Sequence, residues 1–447
     1  MSAYADRLEA LVAEAADRCT GCGKCFEACP TAREIGLDAG EAKTRVGELS
    51  ALTLNGGAAA EGLQKWLNAC DGSARCSAAC PEDINVRQWV TIAKMKALEA
   101  ARPREVGATA AAGRFRHMAQ AVRLLASMQL PSETLKKILQ PAERRTAEIL
   151  FYTGCNVLRT PHIVLNVMDI LDALELDFDV VGGTSHCCGV YQFQEADLPT
   201  YERMGHRTFQ RFGQSGASKV LTWCPTCTKN FDELEKDVEE PFFDLGHVSE
   251  FLTANLDALK ARFVDQPKRR VVIHEHLGIG ATVDSIRKLL SAVPNLELVE
   301  LVQDSGFSYA CGGQAAKFKD RERAIHRGLA EGAVASGADT IVTMYHSCHR
   351  ALAGAEAVYP SLRVVNFTDI LAEALGRGGH PDYYRLYKAG GSMDEAVAAA
   401  RQFLSSNGVR VDEASVQSLT ADIFDETGLA GSRDAFAQAF TALAKEG

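Results

Sequence analysis

Hydrophobic residues follow two different patterns along the 447-residue chain, and the change falls near residue 148. Before that point they recur at helical spacing, which predicts a helix over residues 85–101 and helical structure around residues 62–67. The segment 102–147 follows as a helical connector, with predicted helices over 114–130 and up to Leu139.

From residue 148 onward, short apolar runs alternate with amphipathic segments of helical period. This alternation is typical of an α/β fold with parallel strands. The stretch 148–265 has predicted helices over 162–175 and 198–214, and predicted strands over 149–152, 176–181 and 219–223. The stretch 266–376 repeats this order, with helices over 283–292 and 321–335 and strands over 270–273, 296–302 and 340–344. We therefore predict two pseudo-repeated α/β modules, followed by a helical extension over 377–447 with helices over 396–404 and 434–444.

The composition describes a globular protein, with 47% hydrophobic and 24% charged residues. The net charge of −10 argues against a nucleic-acid partner, because proteins that bind phosphate backbones concentrate Lys and Arg. Neither a secretory signal pattern at Met1 nor a run of eighteen apolar residues is apparent. We therefore expect a cytoplasmic protein that associates with membranes only through a partner.

Fourteen cysteines are too many for chance, and without a signal sequence metal ligation is favoured over disulfides. The run Cys19-x2-Cys22-x2-Cys25-x3-Cys29-Pro30 is the bacterial ferredoxin pattern, whose fourth cysteine binds the other of two clusters. A second run follows at Cys70, Cys76, Cys80 and Pro81. Exchanging the fourth cysteines predicts one complete 4Fe-4S site formed by Cys19, Cys22, Cys25 and Cys80.

The second ferredoxin-type site has three predicted thiolates, Cys29, Cys70 and Cys76. Ser73 stands where the spacing of the first run would place a fourth cysteine. Ser73 or Asp71 could hold the fourth iron, a small ligand could complete a cubane cluster, or that iron could be missing, which leaves 3Fe-4S. A site without any cluster is the remaining alternative.

Five further cysteines follow the predicted strands of the first α/β module: Cys155, Cys187, Cys188, Cys224 and Cys227. Because ligands in open α/β sheets sit at the carboxyl ends of strands, these three loops can converge on one cluster. Thiolates are soft ligands suited to iron–sulfur centres, and five exceed what a zinc ion needs. A thioredoxin-like pair at Cys224 and Cys227 is the weaker alternative, because it ignores the adjacent cysteines. His186 beside them is either a loop residue or a hydrogen-bond donor to the site.

The spacing Cys155-x31-Cys187-Cys188-Gly189-x34-Cys224-x2-Cys227 resembles the CCG motif of the heterodisulfide reductase family. The helical insertion between the ferredoxin runs likewise resembles the α-helical ferredoxin module of that family. The resemblance implies an α-helical ferredoxin domain over 1–101, the connector 102–147, two CCG modules and a C-terminal helical extension. It also implies that the five cysteines bind a noncubane 4Fe-4S cluster that takes up single electrons while engaging sulfur substrates, and that they are catalytic.

The second CCG module departs from the family pattern. Glu275, Ala310 and Tyr345 stand where three of the five cysteines would be, and Cys311 and Cys348 remain. A second noncubane cluster is therefore not expected. Histidines follow the same strands, so we predict a mononuclear metal site formed by Cys311, Cys348, His276 and His346. A substrate pocket with a free thiol and histidine acid/base groups, or a decayed site with a structural role, are the alternatives.

The resemblance implies an iron–sulfur oxidoreductase, working within a complex, that reduces or oxidises a disulfide or thiol at the noncubane cluster. The ferredoxin-type clusters would supply or accept the electrons. A non-catalytic conduit is the alternative, because the chain is also similar to iron–sulfur subunits of glycolate, lactate and glycerol-3-phosphate oxidising complexes that serve quinones. No GxGxxG fingerprint is present, so any flavin would belong to a partner. The expected partners are flavoprotein or ferredoxin-like redox subunits and a sulfur-carrier protein.

Overall fold

The computed structural model of the chain describes residues 3–70, 72–101, 104–139, 147–235, 243–276, 280–301, 311, 318–390, 393–406 and 408. Three sequence predictions fall outside these residues. They concern Asp71 as a cluster ligand, Ala310 beside Cys311, and the helix over 434–444.

The region before residue 102 is helical, as its hydrophobic spacing predicts. Its central helices pack around side chains such as Leu49, Trp66, Leu67 and Trp89, all of which are buried. A short 3-10 helix covers Ala39–Glu41. The α-helices are Ala3–Arg18 (α1), Lys24–Glu27 (α2), Pro30–Glu34 (α3), Ala42–Asn55 (α4), Glu61–Ala69 (α5), Arg75–Ala78 (α6) and Val86–Ala101 (α7).

The connector consists of a long helix, Arg104–Gln129 (α8), and a short one, Ser132–Leu139 (α9). The long helix ends within one residue of its predicted end, before Pro131, which cannot continue a helix. It starts ten residues earlier than predicted, because the alanine-rich sequence near residue 110 has high helix propensity without a marked apolar stripe.

Each α/β module contains a four-stranded parallel sheet, in agreement with the predicted parallel strands. The first sheet has the order β2-β1-β3-β4 and the second has the order β6-β5-β7-β8. The central strands β1 and β7 are buried throughout, which explains their continuous apolar sequences. The strands are Ile149–Gly154 (β1), Phe178–Gly182 (β2), Lys219–Thr222 (β3), Asp244–His247 (β4), Arg269–His274 (β5), Leu296–Leu298 (β6), Thr340–Thr343 (β7) and Arg363–Asn366 (β8).

Helices cover the sheets and join the two modules. In the first module they are His162–Ala173 (α10), Val190–Gln194 (α11), Leu198–Ser215 (α12), Pro225–Glu235 (α13), Val248–Ala254 (α14) and Leu256–Lys260 (α15), with 3-10 helices at Asn156–Arg159 and Thr184–His186. In the second they are Gly280–Ser291 (α16), Lys319–Ala335 (α17), His346–Leu352 (α18), Ala355–Val358 (α19) and Phe367–Ala374 (α20). Helix α10 packs against α20 and helix α14 against α16, so the modules share an interface.

Among the strands, β6 is shorter than predicted, because it ends at Leu298 instead of continuing toward residue 302. As an edge strand it pairs with β5 alone, over three residues. After the second module come Tyr383–Gly390 (α21) and Met393–Ser406 (α22). Helix α22 packs against α8 of the connector. Among the described helices, none combines the length and the apolar character needed to cross a membrane.

Candidate iron–sulfur sites

The two ferredoxin-type loops have matching backbone conformations. Four of their residues have positive φ angles: Gly21 (66°), Gly23 (84°), Gly72 (76°) and Ala74 (60°). In each loop they flank a single residue, Cys22 or Ser73, and precede a four-residue helix, α2 or α6. Alanine rarely adopts this conformation, so the second loop keeps the shape of the first against a local preference. Ser73 therefore occupies the place of Cys22, and only 4% of it is exposed.

One group of thiols combines the first loop with the last cysteine of the second run. Burial and the nearby thiols Cys19, Cys80 and Cys22 raise the pKa of Cys25 to about 12. Several thiolates this close repel one another unless cations lie between them, and bound iron would supply that positive charge. The structure thus brings together the four residues predicted for the complete 4Fe-4S site.

The other group contains Cys29, Cys70 and Cys76. Burial, together with Cys70 and Cys29, raises the pKa of Cys76 well above its usual range. The indole Nε1 of Trp66 lies 3.3 Å from Cys29 Sγ and donates a hydrogen bond to it. This contact was not predicted from the sequence. It gives Trp66 a role at the edge of the second site as well as in the core.

The five cysteines of the first α/β module converge at the carboxyl end of its sheet. Cys155 follows β1, the Cys187–Cys188 pair follows β2, and the last two lie at the start of α13 after β3. The Sγ atoms of Cys155 and Cys187 are 3.9 Å apart, and those of Cys188 and Cys227 are 3.4 Å apart. All five are buried, and none of the fourteen cysteines forms a disulfide. A cluster of soft, buried thiols fits an iron–sulfur centre.

Gly189 gives the adjacent cysteines their conformation. Its φ is +83°, and a Cβ atom there would lie 3.1 Å from the carbonyl oxygen of Tyr201. The Gly189 amide also donates to Cys187 Sγ at 3.4 Å. The glycine of the CCG motif is therefore needed for its backbone, both to turn the chain and to approach α12.

Mutual interactions between the thiols dominate the electrostatics of this site. The hydrogen bond with Cys155, followed by burial, raises the pKa of Cys187 well above its usual range. The contact with Cys187 and burial raise the pKa of Cys188 to about 12. Burial also acts on Cys224, but hydrogen bonds from Cys227 and Tyr345 lower its pKa below the usual value. Without iron, most of these thiols would hold their protons; cluster binding would have to release them.

The second module supplies a side chain to the first module's site. Tyr345, which stands in place of a cysteine in the second motif, has its hydroxyl 2.9 Å from Cys224 Sγ and 3.3 Å from Thr226 Oγ1. Burial and Cys224 raise the pKa of Tyr345 well above its usual range. Beside it, Trp223 stacks on Phe367 at a centroid distance of 5.6 Å. No sequence pattern indicates the tyrosine contact, because it depends on how the modules face each other.

A polar chain connects the second ferredoxin-type loop to the five-cysteine site. Arg87 donates to the Gly72 carbonyl at 3.1 Å and to Asn230 Oδ1 at 3.0 Å. Asn230 in turn has its Nδ2 3.6 Å from Cys188 Sγ. Arg87 also bonds both carboxylate oxygens of Glu233 at 2.7 Å. The loop that contains Ser73 is therefore docked on helix α13 of the first module.

The second module gathers a different set of ligand atoms. His274 Nε2 lies 3.3 Å from Cys311 Sγ, and His276 Nε2 lies 2.9 Å from Cys348 Sγ. The four ligand atoms lie within 4.8 Å of one another, and all four residues are buried. Burial, with the neighbouring His276 and His326, lowers the pKa of His274 well below its usual range. The imidazole of His274 is therefore neutral, which is the form that binds metals.

The structure places one predicted metal ligand of this module elsewhere. His346 belongs to the predicted metal set, but its Nδ1 instead accepts a hydrogen bond from Trp223 Nε1 at 3.3 Å, and His274 takes its place. Glu275, which replaces the first cysteine of the motif, forms an ion pair with Arg287. His349, at the same loop ends, bonds Asp382 at 2.6 Å. His186 in the first module bonds the Gly182 carbonyl at 3.0 Å, as expected for a loop histidine.

Comparison with known families agrees with this division of the chain. Residues 15–84 match the 4Fe-4S dicluster domain, and residues 149–232 and 277–353 match the cysteine-rich CCG domain. The chain therefore contains one 4Fe-4S dicluster domain and two CCG domains. The prediction of a ferredoxin-type domain followed by two CCG modules is confirmed.

Two curated proteins with similar sequences come from methanogens. The first is a subunit of the fumarate reductase (CoM/CoB) of Methanothermobacter marburgensis, 26% identical over 341 residues, which cover 74% of this chain and 66% of that protein. The second is an uncharacterized iron–sulfur protein of Methanococcus maripaludis, 23% identical over 212 residues, or 46% of this chain and 41% of that protein. This CCG-domain chain thus spans just under two thirds of the first relative and less than half of the second. The likeness covers neither relative completely.

Proposed function

We propose that this CCG-domain protein is an iron–sulfur electron-transfer subunit of a reductase in which the five-cysteine site engages a disulfide or a thiol. The observation that carries the proposal is the convergence of five buried thiols at one sheet edge, joined by a polar chain to a ferredoxin-type loop. When bound, the iron–sulfur clusters supply or accept single electrons.

The contacts favour a definite order for the three sites. The site of Cys29, Cys70 and Cys76 lies against the first CCG module, because Arg87 links the Gly72 carbonyl to Asn230. Burial, with the charge of Arg87, lowers the pKa of Lys229 on α13 to about 8, and the Cys76 thiol acts on the same side chain. We infer that electrons pass between a partner and the complete site, then through the Ser73 site, to the five-cysteine site.

The Ser73 site would be a cluster with three thiolates and an unusual fourth position. Ser73 is buried in a loop whose shape matches the one that presents Cys22. We propose that this position holds either a serine-ligated 4Fe-4S cluster or a 3Fe-4S cluster. Ser73→Cys should convert it to an ordinary cubane site. EPR would detect the change as loss of a 3Fe-4S signal from the oxidised protein or as an altered 4Fe-4S signal from the reduced protein. Spectra that are unaltered in both oxidation states would show that Ser73 does not face the cluster.

A hydroxyl group beside the five-cysteine site can stabilise negative charge that develops on sulfur during the proposed reduction. Reduction of one disulfide to two thiols consumes two electrons and two protons. The Tyr345 hydroxyl, 2.9 Å from Cys224 Sγ, keeps its proton at neutral pH because burial and Cys224 raise its pKa. We propose that Tyr345 stabilises the anionic sulfur of Cys224 by donating a hydrogen bond to it at the edge of the site. Thr226, 3.3 Å away, orients the hydroxyl.

The name of the methanogen relative favours a reductase that acts on a sulfur substrate over a non-catalytic electron conduit. It describes a reductase associated with two coenzymes, CoM and CoB, and designates the similar chain as one of that reductase's subunits. By analogy we propose that this chain works with at least one further redox subunit and that its sulfur substrate is a low-molecular-weight thiol or its disulfide. A flavin, if the complex has one, would belong to the partner.

EPR of the anaerobically purified protein tests the proposed function. We expect that adding a candidate thiol or disulfide to the oxidised protein induces a signal from the five-cysteine site, and that Cys187→Ala abolishes both this signal and substrate turnover. The ferredoxin-type signals should remain, which controls for folding. If Cys187→Ala leaves the induced signal and turnover unchanged, the site is not where sulfur chemistry occurs. Co-purification with a quinone-reducing dehydrogenase and no response to thiols would favour the conduit.

A further inference from the structure

The second CCG module contains a set of four potential metal ligands that differs from the cysteine set of the motif. His274 is the last residue of β5, His276 lies two residues further on, and Cys348 lies in the first turn of α18. Cys311 completes the set. The exposed fractions of these residues are 2%, 6%, 0% and 6%. The two histidines precede the region that matches the CCG domain, so the motif alone would not reveal this set.

We infer that His274, His276, Cys311 and Cys348 bind one mononuclear divalent metal ion, for which Zn²⁺ has the best-matching ligand preference. In a tetrahedral zinc site with two sulfur and two nitrogen ligands, neighbouring S and N atoms are about 3.5 Å apart. The observed S–N distances of 2.9 Å, 3.3 Å and 3.7 Å bracket that value. Four protein ligands would complete a tetrahedral zinc site, which is typical of a structural zinc ion.

The same distances argue against a cluster in this module. In a Rieske centre the two cysteines and the two histidines bind different irons, so the histidine nitrogens would not lie in direct contact with the thiol sulfurs. Here each histidine nitrogen lies within 3.3 Å of a sulfur atom. A noncubane cluster would need the thiolates that Glu275 and Tyr345 replace. A single ion is the species whose size matches the space between the four atoms.

A neighbouring side chain supports the thiolate form of the sulfur ligand. His326 Nε2 lies 3.1 Å from Cys311 Sγ and can donate a hydrogen bond to it. Metal-bound thiolates commonly accept such bonds, which orient the ligand and moderate its charge. Glu322 belongs, with His326, to a second group of potential ligand atoms around Cys311.

The position of the proposed zinc site, between the end of β5 and the start of α18, indicates a structural role. Cys348 is three residues after Tyr345, and α18 begins between them at His346. An ion bound to Cys348 would tie the start of α18 to the end of β5. Since Tyr345 reaches Cys224 of the first module from this same turn, the metal would hold the tyrosine in place at the module interface.

Metal analysis of the holo-protein, purified anaerobically, tests this inference. We expect about one zinc per chain in addition to iron, and zinc-edge X-ray absorption should give two sulfur neighbours near 2.3 Å and two nitrogen neighbours near 2.0–2.1 Å. His274→Ala should lose the zinc, whereas His274→Cys should retain it with three sulfur neighbours. His346→Ala is the matched control, because His346 is equally buried nearby but bonds Trp223, and it should keep its zinc.

Iron content and iron EPR signals report on the proposed function independently of the zinc measurement, so failure of one proposal can be distinguished from failure of the other. Iron content and the ferredoxin-type EPR signals should be the same in the wild type and in all three variants, which also confirms that they fold. Absence of zinc from the wild type would overturn the inference. So would loss of zinc from His346→Ala with retention in His274→Ala, or an absorption spectrum with iron–sulfur neighbours in place of a single ion.

Discussion

The two CCG modules have the same strand order but bring different chemistry to the same sheet edge. In the first, three loops supply five thiols; in the second, the corresponding loops supply two thiols and two histidines. The first cysteine of the motif has become Glu275, whose carboxylate pairs with Arg287 instead of facing the site. The comparison shows that a parallel sheet brings the loops after its strands to one edge, whichever ligand side chains those loops contain. The ligand set can therefore change while the framework remains.

The modules also differ in what docks on them. Helix α13 of the first module receives Arg87 from the ferredoxin-type domain, while α18 of the second receives Asp382 from the segment before α21. Each contact is a buried or nearly buried ion pair. One connects the first module to the proposed electron supply, and the other ties the second module to the C-terminal region.

Removing the Arg87 contact should have the largest effect on stability. Arg87 is 3% exposed and bonds Glu233, Asn230 and the Gly72 carbonyl, so Arg87→Ala leaves a buried carboxylate without its cation. We expect a loss of about 3–5 kcal/mol in the free energy of unfolding. Urea unfolding of the anaerobic holo-protein measures it. Lys219→Met, which breaks the exposed pair with Asp244, should cost less than about 1 kcal/mol; equal losses in the two variants would contradict the docking role of Arg87.

The Asp382 contact should give the second module a pH-dependent stability. Burial opposes its ionisation, but His162 and His349 lower the pKa of Asp382. Burial likewise opposes protonation of His349, but Asp382 raises the pKa of His349 above its usual value. Stability from Asp382 is present above its unfolded pKa of about 3.9 and is lost as the pH falls below it. Stability from His349 is present below about pH 6.5 and is lost as the pH rises through the raised value.

The pair should therefore contribute most between roughly pH 4 and pH 6.5. Groups that face it include His162, Asp369 and Arg385. Asp382→Asn should lower the free energy of unfolding in this window by about 1.5–3 kcal/mol, the usual contribution of a hydrogen bond to a charged group. Urea midpoints measured across this range test the prediction. A variant that follows the wild-type pH profile would show that the pair does not titrate as described.

Replacing the hydroxyl between the modules should have the smallest effect. Tyr345→Phe removes one hydrogen bond to Cys224, worth about 0.5–1.5 kcal/mol, so turnover with a sulfur substrate should fall about tenfold or less. The reduction potential of the five-cysteine cluster should become more negative, because a donor to a thiolate ligand stabilises the reduced state. The control is Tyr359→Phe, because the hydroxyl of Tyr359 donates a hydrogen bond to Glu331 at the surface. An unchanged potential in Tyr345→Phe would mean that the contact is structural alone.

The sequence predicts most of the ligands because their spacing is local. The ferredoxin runs, the CCG pair and the CxxC each lie within one loop or one helical turn, so the thiols that share a loop follow from the pattern itself. The parallel sheets follow from alternating apolar runs, and the framework brings the loops together. The backbone match between the loops of Cys22 and Ser73 also agrees with the spacing.

The remaining contacts depend on how separate elements pack. Tyr345 reaches Cys224 across 121 positions of sequence and Arg87 reaches Asn230 across 143, and no local pattern marks either pair. The sequence prediction chose His346, whereas the structure groups His274 with the other three residues. Side chains two residues apart at a strand end point to the same side, so His276 shares its side with His274. That signal was present in the sequence, with Glu275 between them on the other side.

Iron content after one matched pair of substitutions tests the central distinction between the modules most directly. Cys227 and Cys348 occupy equivalent positions in the first turns of α13 and α18. We expect Cys227→Ser to lose about four irons per chain together with the EPR signature of the five-cysteine site. Cys348→Ser should retain all of its iron. Equal iron loss from the two variants, or no loss from Cys227→Ser, would contradict the conclusion that the first module alone holds an iron–sulfur cluster.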